Sequence, residues 1–173
     1  NPAQTVSVVD VIDRKFVGEI ESAGCSFSYP LGGLRFFMIC GDGTLMNVQL
    51  NGRGGVSSKS RTDKFFAPPE DFIEEDGVRV GNTWHFSSRN GLVYSVSAGS
   101  KGLQFGAPWP LFDEKDKADD WHTGGLHPVG VHAASGRLYV LVLQGGEFSH
   151  KDPGEEVWVY DLTEKKRLSR IKL

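Results

Sequence analysis

Thr5-Val-Ser-Val-Val-Asp-Val-Ile-Asp-Arg-Lys-Phe-Val-Gly-Glu-Ile20 and Glu156-Val-Trp-Val-Tyr-Asp-Leu-Thr-Glu-Lys-Lys-Arg-Leu-Ser-Arg-Ile171 superpose without a gap. Val6 falls on Val157, Asp10 on Asp161, Lys15 on Lys166 and Ile20 on Ile171. Each stretch reads as an alternating strand, an Asp, a polar tight turn with a basic pair, and a return strand, so a β-hairpin is written twice. Two weaker copies lie between them, at Thr44-Leu-Met-Asn-Val-Gln-Leu-Asn-Gly-Arg-Gly-Gly-Val-Ser57 and Leu92-Val-Tyr-Ser-Val-Ser-Ala-Gly-Ser-Lys-Gly-Leu103. The positions equivalent to Asp10 and Asp161 are then Gln49 and Ser97, and the longer last interval requires an insertion, which the acidic segment Asp113 to Asp120 supplies.

Working outward, every hairpin after the first is preceded by two more strand-like runs. These are Cys25–Pro30 and Leu34–Cys40, then Gly77–Val80 and Asn82–Ser87, then Pro128–Ala133 and Arg137–Leu143. Gly32-Gly33, Gly81-Asn82 and Ser135-Gly136 are the turn signals within those pairs. Four strands recurring at roughly 40 to 50 residues is the pattern of a β-propeller blade. The expected class is all-β, with blades of four antiparallel strands. The 22 glycines, spread through Gly-Gly, Asn-Gly and Asp-Gly pairs, agree with it. The one helix candidate is the surface segment Pro110 to Asp120, a turn or two long. The 173 residues divide into an outer hairpin (1–23), a blade (24–66), a second (67–110) and a third with an inserted loop at 113–120 (111–173). Propellers close at 4 to 8 blades, so three and a half blades imply either a longer polypeptide or two copies that complete one another.

Nineteen Lys and Arg against 22 Asp and Glu leave a net charge of −3, which excludes a charge-driven nucleic-acid or anionic-membrane partner. No apolar run approaches a bilayer span, and Asn1-Pro2-Ala3-Gln4 opens without a signal-peptide pattern. Cys25 and Cys40 lie at the start and end of two strands joined across Leu31-Gly32-Gly33, where an antiparallel pair would bring them together. The two readings are a disulfide, which would place the chain in an oxidising compartment, and two buried free thiols. Two cysteines without Cys-x-x-Cys spacing argue against a metal or thioredoxin-like centre.

With the cysteine spacing, the blade period and the C-terminal third in view, the chain resembles the heavy, β-propeller subunit of the quinoprotein amine dehydrogenases, closest to the aromatic amine (aralkylamine) branch. The residues that carry the resemblance are Gly24-Cys25 with Arg35-Phe-Phe-Met-Ile-Cys-Gly-Asp-Gly43, and Ala107-Pro-Trp-Pro-Leu-Phe112 with the acidic segment leading to Trp121. Gly124-Gly125, Val129-Gly-Val-His-Ala-Ala-Ser-Gly-Arg-Leu-Tyr-Val140, His150-Lys151 and the hairpin from Glu156 complete the set. The resemblance implies a share of a seven-bladed, periplasmic, non-catalytic scaffold, its signal peptide not in this chain. Amine oxidation would occur on tryptophan tryptophylquinone in a partner small (light) subunit, with electrons passing to a small copper protein. It implies no cofactor in this chain: Trp84, Trp109, Trp121 and Trp158 read as packing. The aromatic residue by which the family's heavy chain lines the substrate channel has no counterpart here. His150 and Lys151 become a possible partner contact, beside the plainer reading of a solvated hairpin loop.

The other chemistry-bearing residues are weaker. His122, His127 and His132 recur every five residues, which fits neither a helix face nor a strand face, so no metal site is expected. Glu74-Glu75-Asp76 and Glu155-Glu156 read as solvated turn charges, lacking a calcium-loop pattern. No Gly-x-Ser-x-Gly elbow occurs, and Gly52-Arg-Gly-Gly55 sits in hairpin context rather than as a phosphate loop. Beside the scaffold reading stand a stand-alone binding module, with two copies completing a ring as a homo-oligomer, and a hydrolase or lyase at a propeller channel, for which no constellation of residues converges.

Overall fold

The computed structural model describes residues 4–100, 102–146 and 149–173; Lys101 in the turn of one weak hairpin copy and Glu147 in the loop before His150 lie outside the described residues. The chain forms two compact units, residues 1–70 with 100–103, and residues 71–99 with 104–173. The fold is all-β in both, built from antiparallel sheets.

The first unit holds the hairpin β1 (Thr5–Asp10) and β2 (Lys15–Glu21) and a four-stranded meander of β3 (Cys25–Gly32), β4 (Arg35–Cys40), β5 (Leu45–Leu50) and β6 (Val56–Arg61). Ile20, Cys25, Met38, Cys40, Met46 and Val48 form its buried cluster, with Val6, Val8, Phe36 and Leu50 packed against it. Cys25 and Cys40 face each other across β3 and β4 and are joined by a disulfide.

The second unit holds β7 (Val78–Val80), β8 (Thr83–Ser87), β9 (Leu92–Gly99) and most of β10 (Gly102–Pro110) as one meander. Its other sheet contains β11 (Trp121–Thr123), β12 (Val129–His132), β13 (Arg137–Gln144), β14 (Glu156–Asp161) and β15 (Lys166–Lys172). Four strands were expected there and five occur: β11 and β12 pair with successive stretches of the same edge of β13, so the strand on that edge is split by the Gly124-to-Pro128 excursion. The helix candidate is realised as α1 (Glu114–Ala118), started by a capping box between Asp113 and Asp116. Val93, Trp109, Phe112, Trp121, Val140, Trp158 and Tyr160 are at the centre of this unit's core. Trp121 and Phe112 meet Trp158 at ring separations of 5.1 and 5.4 Å.

The doubled hairpin is reproduced residue by residue. Val6 faces Ile20 and Asp10 faces Lys15; Val157 faces Ile171 and Asp161 faces Lys166. Both hairpins carry a bulge at the same aligned step, Val8/Val9 and Val159/Tyr160. Both turns are organised by the Asp side chain: Asp10 Oδ1 accepts from the amides of Ile12 and Asp13, and Asp161 Oδ1 from those of Thr163 and Glu164. Arg14 and Lys165 then take the same left-handed conformation, with φ of 53° and 55°. In the β5–β6 copy the equivalence to Gln49 is corrected to Asn51, whose Oδ1 accepts from the amides of Arg53 (2.9 Å) and Gly55 (3.1 Å). The short Asn side chain can reach the backbone two residues on, whereas Gln49 sends Nε2 to the carbonyls of Gly33, Leu34 and Leu50.

Candidate functional site

In the second unit the antiparallel order sorts connections by length. The β7–β8, β12–β13 and β14–β15 turns are short and lie at one end of their sheets. The segment before β7 (71–77), the β8–β9 turn (88–91), the β10–β11 connection with α1 (111–120) and the β13–β14 connection (145–155) lie at the other. The longer connections, which carry most of the titratable residues singled out above, therefore share one face.

Hydrogen bonds stitch that face together. Asp71 is buried, its Oδ2 accepting from Ser88 Oγ at 2.7 Å and its Oδ1 from the Asn90 amide at 2.9 Å. The Gly91 carbonyl accepts from the Leu111 amide at 2.7 Å, and the Ser88 carbonyl from Thr123 Oγ at 3.2 Å. Gly91 has a φ of 77°, and a Cβ there would overlap the Phe112 ring, so only glycine fits. Beside these ties lies a cleft of about 640 Å³ whose lining includes the apolar Leu92, Pro110, Phe112 and Trp121 and the polar Arg89, Lys117, Asp120 and His122. Apolar side chains together with polar groups of both signs around one cleft are the chemistry of a ligand-binding or active site.

Next to the cleft, Glu74-Glu75-Asp76 departs from the solvated-turn reading. Ile73 is buried and bridges to Ser88, which draws Glu74 partly inside and leaves its Oε1 buried without a hydrogen-bond partner among the described residues. Burial, reinforced by the negative charges of Glu75 and Asp76, pushes the Glu74 carboxyl up to about 7, with Arg89 and Lys151 opposing. Burial also raises Glu75 above its ordinary range. Glu156 departs from the solvated reading too: it sits on β14, where its Oε2 accepts from Arg170 Nε (2.7 Å) and Trp158 Nε1 (2.6 Å); Arg170 first, then Trp158, holds its carboxyl below the usual range.

His150 and Lys151 form a single 3-10 turn with Ser149. The His150 ring meets Phe72 edge-on at 5.7 Å, and its Nδ1 is buried without a hydrogen-bond partner among the described residues. His122, His127 and His132 go to three separate places. His122 bonds Thr123, Gly145 and Ser149; His127 pairs with Asp76 at 3.1 Å; His132 meets Ser135 Oγ at 2.8 Å. Among the described residues no three His, Cys, Asp or Glu side chains are placed to hold a metal ion. Trp109, Trp121 and Trp158 are buried, and the Arg167 and Arg170 guanidiniums lie 4.2 and 4.5 Å from the Trp158 ring. All three indoles belong to the core cluster of this unit, and Trp121 also lines the cleft.

The fold can be placed first. The chain aligns over 93% of its length with 43% of Pseudomonas aeruginosa periplasmic gluconolactonase, at a TM-score of 0.56 and 12% identity. It aligns over 85% of its length with 40% of the Cps50 (Swd1) β-propeller domain of Myceliophteria thermophila, at 0.53 and 8%. At such identities the likeness concerns architecture alone, and it is that of a partial β-propeller. The family model for the methylamine dehydrogenase heavy chain matches residues 1–173, and the chain belongs to that family. Methylamine dehydrogenase heavy chains of Methylophilus methylotrophus and Methylorubrum extorquens are each 30% identical to it over its whole length, and that of Paracoccus versutus is 29% identical. The chain spans 43%, 42% and 40% of those relatives.

Proposed function

We propose that this chain is part of the non-catalytic heavy subunit of a periplasmic amine dehydrogenase, with 1–23, 24–66, 67–110 and 111–173 as its successive blade portions. The observation that carries the reading is the family match across all 173 residues. On this reading primary amines, of the aromatic class by the motifs quoted above, are oxidatively deaminated on the tryptophan tryptophylquinone of a light subunit, and a small copper protein takes the electrons. The packing of Trp109, Trp121 and Trp158 supports assigning the quinone to the partner. The Cys25–Cys40 bridge supports an oxidising compartment. The hairpin β1–β2 leaves Val9, Val11, Ile12 and Phe16 exposed, which supports its reading as the outer half of a blade.

What this chain contributes is rigidity and a surface. The loop-bearing face, held by Asp71, Ser88, Gly91 and Thr123, presents the His150–Lys151 turn and the cleft as a preformed contact for the light subunit. The test is purification from the native host through a tag on the full-length heavy chain. A smaller chain with two cross-linked tryptophans should co-purify, and replacing both His150 and Lys151 with alanine should reduce its recovery. Recovery of the heavy chain alone from amine-grown cells counts against the proposal.

A further inference from the structure

We propose that Asn51, in the β5–β6 turn, is a site of spontaneous deamidation, and that the fold shields the identical Asn90-Gly91 pair from the same change. The reaction needs only water. The amide nitrogen of the following residue gives up its proton and bonds to the asparagine Cγ, the Cγ–Nδ2 bond breaks, and ammonia leaves with the proton. Water then opens the cyclic imide at one of its two carbonyls, which yields aspartate or, where the main chain now runs through Cγ, isoaspartate. A following glycine favours the attack because no side chain crowds the nitrogen. The sequence holds two such pairs, Asn51-Gly52 and Asn90-Gly91.

Their surroundings differ. Asn51 and Gly52 are exposed, and a Cβ on Gly52 would meet nothing within 4 Å. Neither the Gly52 amide nor Asn51 Nδ2 has a hydrogen-bond partner among the described residues. Asn51 Oδ1 accepts from the amides of Arg53 at 2.9 Å and Gly55 at 3.1 Å. Negative charge builds on that oxygen as the Gly52 nitrogen attacks, and these two donors are already in place to hold it. At the other pair the attacking group is tied: the Gly91 amide donates to the Ser88 carbonyl at 3.0 Å. The Asn90 amide donates to Asp71 at 2.9 Å, the Gly91 carbonyl accepts from Leu111, and Gly91 is buried against the Phe112 ring. Attack at Asn90 therefore waits on local opening. The two products at position 51 also differ. Aspartate keeps the turn, since Asp10 and Asp161 organise the sister turns through the same Oδ1 bonds. Isoaspartate lengthens the main chain by one carbon. Gly54 is seated on the β1–β2 hairpin, where a Cβ would come 3.0 Å from Val17 Cγ1 and 3.3 Å from Val8 Cγ1, so the longer chain must shift that contact. The inference stands independently of the heavy-subunit reading.

The test is peptide mapping by mass spectrometry of the full chain, held folded for days in mildly alkaline water labelled with heavy oxygen. Electron-transfer fragmentation tells isoaspartate from aspartate. In the folded chain Asn51 should convert at least about tenfold faster than Asn90, and unfolding in urea should bring the two rates together. Gly52→Ala, which enters open space and needs no left-handed backbone, should suppress conversion at position 51 while the chain stays folded. Asn51→Asp should leave the urea midpoint of the first unit where it is. An intact Asn51, an Asn90 that converts as fast in the folded chain, or a difference that persists in urea would overturn the proposal. Undiminished conversion in Gly52→Ala, or a lowered midpoint in Asn51→Asp, would do the same.

Discussion

Removing the Asp116 carboxylate should unfasten α1 from the sheet beneath it, at a cost that the geometry sets. The carboxylate is buried, accepts from Arg167 Nη1 at 2.6 Å, and closes the capping box by accepting from the Asp113 amide at 3.0 Å. Breaking a buried pair by deleting one partner costs about 3–5 kcal/mol. The Arg167 side chain keeps 27% exposure and has Asp113 at 3.8 Å as a second acceptor, so about 2–3 kcal/mol of that applies. Losing the box adds about 1 kcal/mol. Asp116→Ala should therefore destabilise the second unit by about 3–4 kcal/mol, and Asp116→Asn, which retains one acceptor oxygen, by about 1–2 kcal/mol. Arg167→Met keeps an apolar stem over Trp158, and a double-mutant cycle with Asp116→Ala should give a coupling of at least about 1 kcal/mol. Urea unfolding followed by tryptophan fluorescence is the assay, because Trp84, Trp109, Trp121 and Trp158 all belong to the second unit and none to the first. A coupling below about 0.5 kcal/mol would refute the reasoning, leaving Arg167 as a screened surface charge.

Replacing Cys25 and Cys40 with serine should destabilise the first unit by about 2–3 kcal/mol, the loop-closure entropy of a bridge spanning 15 residues, read by urea unfolding followed at β-sheet circular dichroism. Glu74→Gln should stabilise the second unit at about pH 8 and do little at about pH 4.5. A carboxyl moved from 4.5 to about 7 is worth at most about 3 kcal/mol, and partial exposure reduces that to about 1–2 kcal/mol. A stabilisation equal at both pH values would contradict the cause assigned to the shift. Gly91→Ala should cost about 2–4 kcal/mol by forcing a side chain into left-handed backbone against Phe112, measured by the same fluorescence transition.

What could be read from the chain without its structure was what is written locally. The alternation of Thr5–Asp10 and Glu156–Asp161, the Asp that organises each turn, and the strand pair that brings Cys25 opposite Cys40 all depend on residues within one hairpin. The capping box of α1 is equally local. β11 was not legible because three residues between Asp120 and Gly124 carry no period; its pairing is decided by β13, about twenty residues on. Glu74 and Glu156 were misread for a related reason. A carboxylate in a charged run looks solvated until Ile73 docks on Ser88 or Trp158 presents its Nε1. The cleft is the extreme case, since Asp71, Asn90, Phe112 and His122 belong to four segments that only the sheet order brings together. The family motifs gave more than geometry did about function, because they are carried by runs of neighbouring residues that can be read without the fold.

The most direct test of the central claim is a visible spectrum of the complex isolated through the full-length heavy chain, recorded before and after adding a primary aromatic amine. The account predicts a quinone band that bleaches with amine and stays with the small subunit when the chains are separated, leaving the heavy chain colourless. A colourless complex, or a band that stays with the chain described here, would contradict it.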